Sequence, residues 1–508
     1  MKRDGIQQSL WQQIPAFEIK NILPANTVFD VLIVGGGITG LSTALQLQKI
    51  GKKCLLAEAH VIGYGSTGGT TAHLNTLLDN YYNRLEKNFG EDSAQLVAQI
   101  TRESIELIKS NIEEYQIDCD FVEQAGYLYA ENEEQVKELE EIFEASNRAG
   151  LQVRWVTDIP VPFPFLKAMI VEGQASFHPT KYIYALAKAF EDAGGILLQQ
   201  SRVVSVDDGE IIKATINEDI YSAYNLIYAT HVPPGVNLLH FRCAPYRSYA
   251  LALKLSNEDY PAAQVYDMQD PFHYFRTHIT NEEKFLIVGG GDHKTGHEEN
   301  TEACFKRLES YCRSHYDIKE VAYKWSSQYF EPTDGLPYIG QLPGNGENVF
   351  VATGFSGNGI TLGVASSIIL TGMIETGMSG EYAELFDPSR IKMVAGFNNF
   401  VKESADVLGQ LIGKILPGEK LPSFSDLAHN EARVVKHDGH TLAIYKDNNG
   451  ELHALNAACT HIKCNVAWNN AEQSWDCPCH GSRFSIDGEV LTAPARKDME
   501  VIDLRKES

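Results

Sequence analysis

Two short stretches near the C-terminal end of this 508-residue sequence combine cysteine with histidine. Cys459 and His461 are separated by one residue, and after an interval of fifteen residues Cys477 and His480 follow. Two thiolates and two imidazoles can hold a 2Fe-2S cluster, with both cysteines on one iron and both histidines on the other. The same four side chains would also suit a tetrahedral zinc ion. Structural zinc sites usually place two cysteines in one knuckle, whereas each stretch here offers one cysteine and one histidine, which favours the cluster.

The two stretches, CTHIKC and CPCHGSRF, resemble the cluster loops of Rieske proteins, and the similarity extends over about the last eighty residues. The resemblance implies four ligands of a Rieske 2Fe-2S cluster, namely Cys459, His461, Cys477 and His480. It also implies a disulfide between the two remaining cysteines of the loops, Cys464 and Cys479.

The resemblance also bears on the reduction potential of the cluster. The serine that donates to a bridging sulfide in the family is present as Ser482, but Phe484 stands where the family has a tyrosine that donates to a cysteine sulfur. Because a lost hydrogen bond makes reduction harder, we expect a potential below the top of the Rieske range, which is about +300 mV.

A second chemical signature lies near the N-terminus. Residues 29–58, FDVLIVGGGITGLSTALQLQKIGKKCLLAE, predict a buried strand, a glycine turn, an amphipathic helix and a second strand. The turn matches the dinucleotide fingerprint, in which the helix N-terminus faces a pyrophosphate and a carboxylate after the second strand binds ribose hydroxyls. The expected contacts are Gly35, Gly37, Ile38, Thr39, Gly40 and Glu58. The fingerprint alone is compatible with FAD or NAD.

Residues 29–380 resemble the D-amino-acid oxidase and glycine oxidase superfamily of flavoproteins. The resemblance is carried by VIGYGSTGGTTAHLN at 61–75 and by PTDGLPYIGQLPGNGENVFVATGFSGNGITLG at 332–363. It implies that the cofactor is FAD and that the strand near Val203 lies against the adenine. The contacts that the resemblance adds are Ser66, Gly68, Gly69, Thr70, Thr71, Val203, Gly354, Gly357, Gly359, Ile360 and Thr361.

The least similar segments are expected to form the substrate domain. RSYALAL (247–253) and HYFRTHITNEEKFLIVGGG (273–291) predict strands and a hairpin. Family resemblance places an arginine for a substrate carboxylate near this hairpin, which makes Arg276 a candidate, although a lone arginine in a strand is more often a surface group. Tyr249 and Tyr274 are further candidate substrate contacts. No general base stands out, and His73 is either a flavin contact, an attachment point or, more commonly, a packed histidine.

Together these segments predict an α/β Rossmann-type FAD-binding domain with an α+β substrate domain, followed by an all-β Rieske domain. The expected FAD-binding parts are 29–84, 150–240 and 326–380, and the expected substrate cap is 85–149 and 241–325. An N-terminal extension (1–28) precedes them, and a helical connector (381–423) leads to the Rieske domain (424–508).

Charge and composition narrow the choice of partners. The sequence has 67 acidic and 43 basic residues, and its formal net charge of -24 disfavours nucleic acid and anionic membranes. No run approaches the twenty or so apolar residues of a membrane span, and the first residues lack the apolar core of a signal peptide. Because the cysteines outside the cluster loops are expected to be reduced, the predicted location is the cytoplasm.

The predicted reaction is the FAD-dependent oxidation of an amine or amino acid, with electrons leaving through the Rieske cluster to a protein or quinone-like acceptor. At the level of the whole chain the sequence is similar to the fused flavin and Rieske proteins of bacilli. Two alternatives remain at this point: an electron-transfer component that feeds a partner enzyme, and a non-catalytic redox sensor. A second dinucleotide fingerprint is missing, which disfavours direct use of NAD(P)H.

Overall fold

The apolar run that ends at Val34 forms the central strand of a parallel sheet in the computed structural model, which describes residues 3–20, 27–377, 380–390, 427–437 and 439–504. The α-helices are α1 (Ile38–Lys49), α2 (Ser66–Gly69), α3 (Tyr82–Phe89), α4 (Glu91–Tyr115), α5 (Glu133–Arg148), α6 (Pro179–Asp192), α7 (Thr301–Arg313), α8 (Gly359–Thr376) and α9 (Glu381–Leu385). Two 3-10 helices cover Leu10–Gln12 and Leu238–Phe241.

Among the described residues, seventeen strands precede the C-terminal domain: β1 (Val28–Val34), β2 (Cys54–Ala57), β3 (His73–Leu74), β4 (Val122–Ala130), β5 (Val153–Val156), β6 (Lys167–Ser176), β7 (Ile196–Leu198), β8 (Val203–Asp207), β9 (Ile212–Ile216), β10 (Asp219–Tyr228), β11 (Cys243–Leu255), β12 (Gln264–Tyr266), β13 (His273–Thr280), β14 (Glu283–Lys294), β15 (Ile318–Pro332), β16 (Tyr338–Gln341) and β17 (Val349–Thr353). The C-terminal strands are β18 (Glu431–His437), β19 (His440–Lys446), β20 (Leu452–Asn456), β21 (Ala467–Asn469), β22 (Ser474–Asp476), β23 (Arg483–Phe484) and β24 (Val490–Thr492).

The first sheet has the order β16-β17-β10-β1-β2-β7, with β8 and β9 attached to β10. Strands β17, β10, β1, β2 and β7 are parallel, which is why their side chains read as continuous apolar runs. Helix α1 returns the chain from β1 to β2, and α8 packs beside α1. This confirms the predicted Rossmann-type layer.

Helix α8 is the one described helix that is long and apolar enough to cross a membrane by length and composition alone. Most of it is buried against the rest of the protein, as expected of a core helix.

The second sheet has the order β15-β11-β14-β13-β12-β4-β6-β3, with β5 paired to β6. Strands β13 and β14 form the predicted hairpin, whose two turn residues, Asn281 and Glu282, both have positive φ. The position of β5 and β6 differs from the sequence expectation, which assigned residues from 150 onward to the FAD-binding part. Strand β6 pairs with β4 and β5 pairs with β6, which places both strands in the substrate sheet, and such long-range pairing leaves no signal in the sequence.

The C-terminal domain consists of two antiparallel sheets, β18-β19-β20 and β21-β22-β23-β24, as expected of an all-β unit. Of the predicted helical connector, residues 391–423 lie outside the described residues, and so does its boundary with the Rieske domain. Helix α9 is the described part of that connector.

Three arginines and three carboxylates join the N-terminal segment, the second sheet and the C-terminal domain. We call this set the interdomain ion cluster, and its members, none more than 5% exposed, are Arg3, Asp4, Arg247, Glu472, Asp476 and Arg483. Asp4 bonds Arg3 at 2.8 Å and Arg483 at 2.7 Å through its two oxygens. Arg483 also contacts Asp476 at 3.0 Å, and Arg3 contacts Glu472 at 3.3 Å. Because the charges balance, each buried ion has a partner.

Replacing Asp4 by Asn should destabilise the docked C-terminal domain by roughly 3–5 kcal/mol, since Arg3 and Arg483 would be left buried without a shared anion. Burial alone would raise the pKa of Asp4, but Arg3, Arg483 and Arg247 lower it to about 2. The ionised Asp4 therefore stabilises the folded state fully above pH ~4, since the unfolded carboxyl has a pKa of about 3.9. This stabilisation is lost as the pH falls towards 2, where the folded carboxyl is protonated as well. Urea unfolding at pH 7 measures the loss of stability in Asp4→Asn, and urea unfolding at pH 2 measures how much of that loss disappears in acid.

Asp192→Asn is the matched control, because Asp192 pairs with Lys188 on an exposed helix face. Its effect should stay within about 1 kcal/mol at both pH values. Equal effects of the two substitutions at pH 7 would contradict a stabilising role for the interdomain ion cluster.

Candidate functional site

A cavity of about 300 Å³ lies where the first sheet, the second sheet and the C-terminal domain meet. The glycine turn and the loop at 63–71 form one side of it, and residues 327–330 of β15 form another. Residues 490–493, with Ala495 and Arg496, bring the C-terminal domain into the wall. The predicted FAD-binding segments and the C-terminal domain therefore border one space.

The glycine turn fits a bound dinucleotide. Gly35 has a φ of +114°, and a Cβ there would lie 2.6 Å from the Ala229 carbonyl oxygen. A Cβ on Gly37 would lie 2.9 Å from Thr67 Oγ1, which accepts a hydrogen bond from the Ile38 N–H at 3.0 Å. Because the N-cap residue Gly37 has no side chain, the N-terminus of α1 opens to the cavity without a side-chain cap. This end of the helix suits a pyrophosphate.

Glu58 lies at the end of β2, as the fingerprint requires. Its carboxylate accepts hydrogen bonds from the N–H groups of Gly36 at 2.7 Å and His60 at 2.8 Å. Burial raises the pKa of Glu58, and the two backbone donors oppose that shift. The remaining lone pairs of this oriented carboxylate can accept from ribose hydroxyls.

A second helix N-terminus borders the same cavity. The N-cap of α8, Asn358, makes no side-chain cap bond, and the space where Gly359 would carry a Cβ is open. Two uncapped helix N-termini facing one cavity provide backbone N–H donors for the negative parts of an FAD molecule. The residues present thus fit the cofactor that the sequence indicates.

The structure brings most of the predicted FAD contacts to the cavity wall. Those that line it are Gly35, Gly37, Ile38, Thr39, Glu58, Ser66, Gly69, Thr70, Thr71, Val203, Gly357, Gly359 and Ile360. Gly40, Gly68, Gly354 and Thr361 lie behind the wall. A Cβ on Gly40 would lie 1.9 Å from the Gly35 oxygen, so this glycine serves the close packing of helix on strand.

The candidate substrate contacts divide into two groups. Tyr249 and Tyr274 line the cavity; the Tyr249 hydroxyl bonds His293 Nε2 at 2.8 Å, and the Tyr274 hydroxyl lies 3.3 Å from Ser248 Oγ. Arg276 does not line it. Its guanidinium is fully buried and donates to the Thr71 carbonyl at 2.6 Å, and Trp11 covers it at 5.2 Å.

His73 also lies behind the cavity wall. Its Nδ1 is 3.1 Å from Thr71 Oγ1, and its ring packs against Tyr266 and Tyr274. Burial lowers the pKa of His73 well below its ordinary value, so the ring is neutral. Of the roles considered for His73, the structure matches that of a histidine packed in the interior next to the cavity.

Several cavity residues were not found from the sequence. Asp4, His231, Trp325, residues 327–330, residues 490–493, Ala495 and Arg496 come from segments that carry no cofactor motif, whereas Thr67 lies within the segment at 61–75 that carries the flavoprotein resemblance. Thr67 follows the predicted Ser66 directly, and its hydroxyl could have been included on that basis. The others reach the cavity through sheet pairing and domain docking, for which a single sequence gives no signal.

The predicted cluster ligands converge in the C-terminal domain from two loops that precede β21 and β23. Cys459 and Cys477 lie side by side, and a hydrogen bond from Cys477 lowers the pKa of Cys459 to about 7. Backbone N–H groups of His461 and Ile462 point at the Cys459 sulfur, and those of Cys479 and His480 point at the Cys477 sulfur. Donors of this kind stabilise the thiolate forms that ligate iron.

The two histidines complete the donor set. The rings of His461 and His480 are 5.0 Å apart, and burial lowers their pKa values to about 4 and about 3, which keeps both rings neutral. His461 Nδ1 and both nitrogens of His480 are buried without a hydrogen-bond partner among the described residues. A bound iron would give these unpartnered ring nitrogens a ligand bond, next to the paired thiols that would bind the other iron. The site therefore fits the mixed cysteine and histidine cluster.

The two cluster loops are joined by a disulfide between Cys464 and Cys479, the pair that the Rieske resemblance implies. Both residues are buried, at 0% and 3% exposure, within the same apolar core as the cluster cysteines. Packing of this kind shields the disulfide from thiols in solution.

The cluster loops contact the FAD-binding part directly. His461 Nε2 bonds the Gly235 carbonyl at 3.1 Å, and the ring of His240 packs against both His461 and His480, at 4.9 and 5.8 Å. The Gly481 carbonyl, one residue after His480, accepts from Gln328 Nε2 at 2.9 Å. Since Gln328 lines the cavity, a single side chain bridges the cavity wall and the second cluster loop.

Comparison with known families agrees with both sites. Residues 30–373 match the FAD dependent oxidoreductase family, and residues 420–503 match the Rieske [2Fe-2S] domain. Over 486 residues the chain is 33% identical to YhfW of Bacillus subtilis, a protein named for a Rieske 2Fe-2S centre, and the alignment covers 95% of each chain.

Two further relatives match the FAD-binding part. Gamma-glutamylputrescine oxidoreductase of Escherichia coli is 26% identical over 349 residues, which are 65% of this chain and 80% of that one. The crystal structure of glycine oxidase from Geobacillus kaustophilus superposes with a TM-score of 0.61 at 18% identity, covering 72% of this chain and 99% of that chain. The last comparison shows a shared fold.

The donor set predicts that the purified holoprotein holds one FAD, two irons and two acid-labile sulfides per chain. Colorimetric iron and sulfide assays, with released flavin measured by absorbance, check this. Stoichiometric zinc without iron after expression in iron-replete medium would contradict the cluster assignment.

Ser482→Ala should lower the reduction potential of the cluster, because the buried Ser482 hydroxyl bonds the Cys459 sulfur. We expect a decrease of roughly 60 mV, which corresponds to a tenfold change in a one-electron equilibrium. A redox titration followed by EPR measures it. Ser485→Ala is the control, since the Ser485 hydroxyl accepts from the N–H groups of Asp487 and Glu489 within a turn. An unchanged potential in Ser482→Ala would exclude this tuning role.

Proposed function

This chain belongs to the FAD dependent oxidoreductase family and carries a C-terminal Rieske [2Fe-2S] domain, and we propose that it oxidises an amine or amino acid and passes the electrons through the cluster to an external acceptor. Its cofactors are therefore FAD and a Rieske 2Fe-2S cluster. The observation that carries the proposal is that the C-terminal domain supplies residues 490–493, Ala495 and Arg496 to the wall of the FAD cavity.

The chemistry divides between the cofactors: FAD supplies the acceptor for a hydride from the substrate carbon, and the cluster supplies a one-electron carrier. The substrate loses one C–H bond and becomes an iminium, which water hydrolyses to a carbonyl compound and ammonium. Two equivalents of a one-electron acceptor protein balance the two electrons that leave. This acceptor is outside the chain.

The chain's own residues bind, orient and exclude water. Tyr249, which is buried, and Tyr274, which is half-buried, form the substrate-domain wall of the cavity, and Trp325 Nε1 donates to the Gly69 carbonyl at 2.8 Å. The contact between Gln328 and Gly481, together with that between His461 and Gly235, keeps the cluster loops against the FAD-binding part. These contacts support electron transfer within one chain rather than between molecules.

The five cysteines outside the cluster loops support a reducing compartment. Cys54, Cys119, Cys243, Cys304 and Cys312 are all buried and free. We therefore place the reaction in the cytoplasm.

Anaerobic mixing of the holoenzyme with a panel of amines and amino acids tests the function. At least one compound should bleach the flavin absorbance and then produce the EPR signal of the reduced cluster. In Cys459→Ser, which removes a predicted iron ligand, the flavin should still bleach while the EPR signal is lost. If no compound bleaches the flavin, the proposed oxidation is wrong. If the flavin bleaches in the wild type and the cluster stays oxidised, the proposed route is wrong.

A further inference from the structure

One segment of the C-terminal domain reaches the flavin cavity. It comprises residues 490–496, and we call it the closing segment. All of its residues except Pro494 line the cavity. The closing segment lies outside residues 30–373, the part of the chain that matches the FAD dependent oxidoreductase family. The wall of the cavity is therefore completed by the domain that carries the cluster ligands.

The start of the closing segment lies at the adenosine end of the cavity. Arg202 Nη2 donates to the Val490 carbonyl at 2.8 Å, and Arg202 directly precedes Val203, the predicted adenine contact. Burial raises the pKa of Glu58, the predicted ligand of the ribose hydroxyls, and the charge of Arg202 is among the interactions that oppose this shift. All four residues line the cavity. One arginine thus connects the predicted adenosine contacts to the closing segment.

The end of the closing segment is held at the carboxyl edge of the first sheet. The Gly235 N–H donates to the Pro494 carbonyl at 2.9 Å. Arg496 Nη2 donates to the Pro234 carbonyl at 2.7 Å, and a Cβ on Gly235 would lie 2.8 Å from Arg496 Cζ. Pro234 and Gly235 belong to the loop after β10, the strand that pairs with β1 and its glycine turn. The closing segment therefore extends from the adenosine end of the cavity towards the predicted pyrophosphate site.

The closing segment also brings a positive charge to the cavity. Arg202 and Arg496 are the arginines of the described wall, which contains no lysine, while Asp4 and Glu58 are its carboxylates. Arg496 is exposed, and apart from its bond to Pro234 it makes no hydrogen bond or ion pair among the described residues. Its remaining N–H groups are therefore available to a ligand. A guanidinium with free donors is well suited to a phosphate, to which it can donate two parallel hydrogen bonds.

The closing segment is fixed to the cluster site as well. The Ala495 N–H donates to Ser482 Oγ at 3.0 Å, and the Ser482 hydroxyl bonds the Cys459 sulfur. Thr492 Oγ1 donates to the Gly481 carbonyl at 3.4 Å. The folded cluster loops thus hold the closing segment in place at the cavity.

We propose that the closing segment is part of the FAD site, where it covers the adenosine half of the bound cofactor and Arg496 pairs with the diphosphate. This assigns cofactor binding to the C-terminal domain, and it does not depend on which compound the flavin oxidises. Because FAD then contacts both domains, its binding also stabilises their docked arrangement. FAD can leave only when the closing segment moves away, so its release is slow.

Hydrogen exchange followed by mass spectrometry tests this placement. The full-length protein, freed of FAD and retaining its iron, is compared without ligand and with saturating FAD, ADP or FMN. FAD and ADP should slow exchange in peptides of the closing segment by about fivefold or more, because both contain adenosine diphosphate. FMN, which lacks the adenosine, should leave it unchanged. Peptides from β18 and β19, which contribute nothing to the cavity wall, are the control and should not respond.

Two results of the exchange experiment would overturn the proposal. Unchanged exchange in the closing segment on addition of FAD would do so, whether or not the glycine turn is protected. If FMN protects the closing segment as well as ADP does, the segment does not recognise the adenosine half, and the proposal is wrong.

Substitution of Arg496 tests its pairing with the diphosphate. In Arg496→Gln the dissociation rate of FAD from the holoprotein, followed by the rise of flavin fluorescence after dilution, should increase about tenfold or more, which corresponds to about 1.4 kcal/mol. Arg496→Lys keeps the charge and should stay within about threefold of the wild type. Lys497→Gln is the matched control, because Lys497 is the next residue, is also exposed and lies outside the cavity wall. Equal rates in Arg496→Gln and Lys497→Gln would overturn the role of Arg496.

Neither experiment contains a substrate, which separates this proposal from the proposed function. If no amine or amino acid bleaches the flavin while FAD and ADP protect the closing segment, the oxidation is wrong and the closing segment remains part of the FAD site. If a compound bleaches the flavin while the closing segment does not respond to FAD, the oxidation stands and this proposal is wrong.

Discussion

The structure depends on the interdomain ion cluster, because that set of charges fixes the C-terminal domain on the FAD-binding part. Arg483 lies at its centre: burial would lower the pKa of its guanidinium, but Asp476, Asp4 and Glu472 raise it. Six buried charges are costly to desolvate, and each pair tolerates little displacement. The interdomain ion cluster therefore fixes the relative position of the domains more than it adds to the net free energy of folding. An apolar interface of equal area could slide, whereas here each arginine must meet its own carboxylate. The charges thereby fix the distance between the cluster loops and the flavin cavity.

That fixed docking explains the surroundings of the cluster histidines. The segment at 233–241 covers them: Gly235 accepts from His461, and the ring of Phe241 packs edge-on against His480 at 5.2 Å. His240 is held in turn by the Pro233 carbonyl at 2.8 Å and by the Asn237 N–H. The histidine side of the cluster site therefore faces the FAD-binding part, and the wall between the two cofactor sites is built from short, well-packed segments rather than from a mobile linker.

The sequence was sufficient where a site is local and insufficient where it depends on docking. Gly35 and Gly37 could be placed because one turn must pass close to a phosphate, and Cys459 to His480 because two loops carry all four donors. The central parallel strand β1 was identified from its apolar run. By contrast, Asp292 looks like any polar residue at the end of a strand, and its hydrogen bond from the Tyr329 hydroxyl emerges only from packing across the second sheet. Arg276 was a candidate ligand for a carboxylate because of the family resemblance, and its burial behind the cavity wall could not be read from the alternation of the strand.

The N-terminal segment connects these features, although its sequence carries no motif. Asp4 belongs to the interdomain ion cluster and also lines the cavity, while Trp11 covers Arg276 and donates to the Thr70 carbonyl. Arg276 in turn holds the adjacent Thr71 carbonyl, so the two side chains fix the loop that forms one cavity wall. The first dozen residues thus contribute both to the docking of the C-terminal domain and to the wall of the cavity.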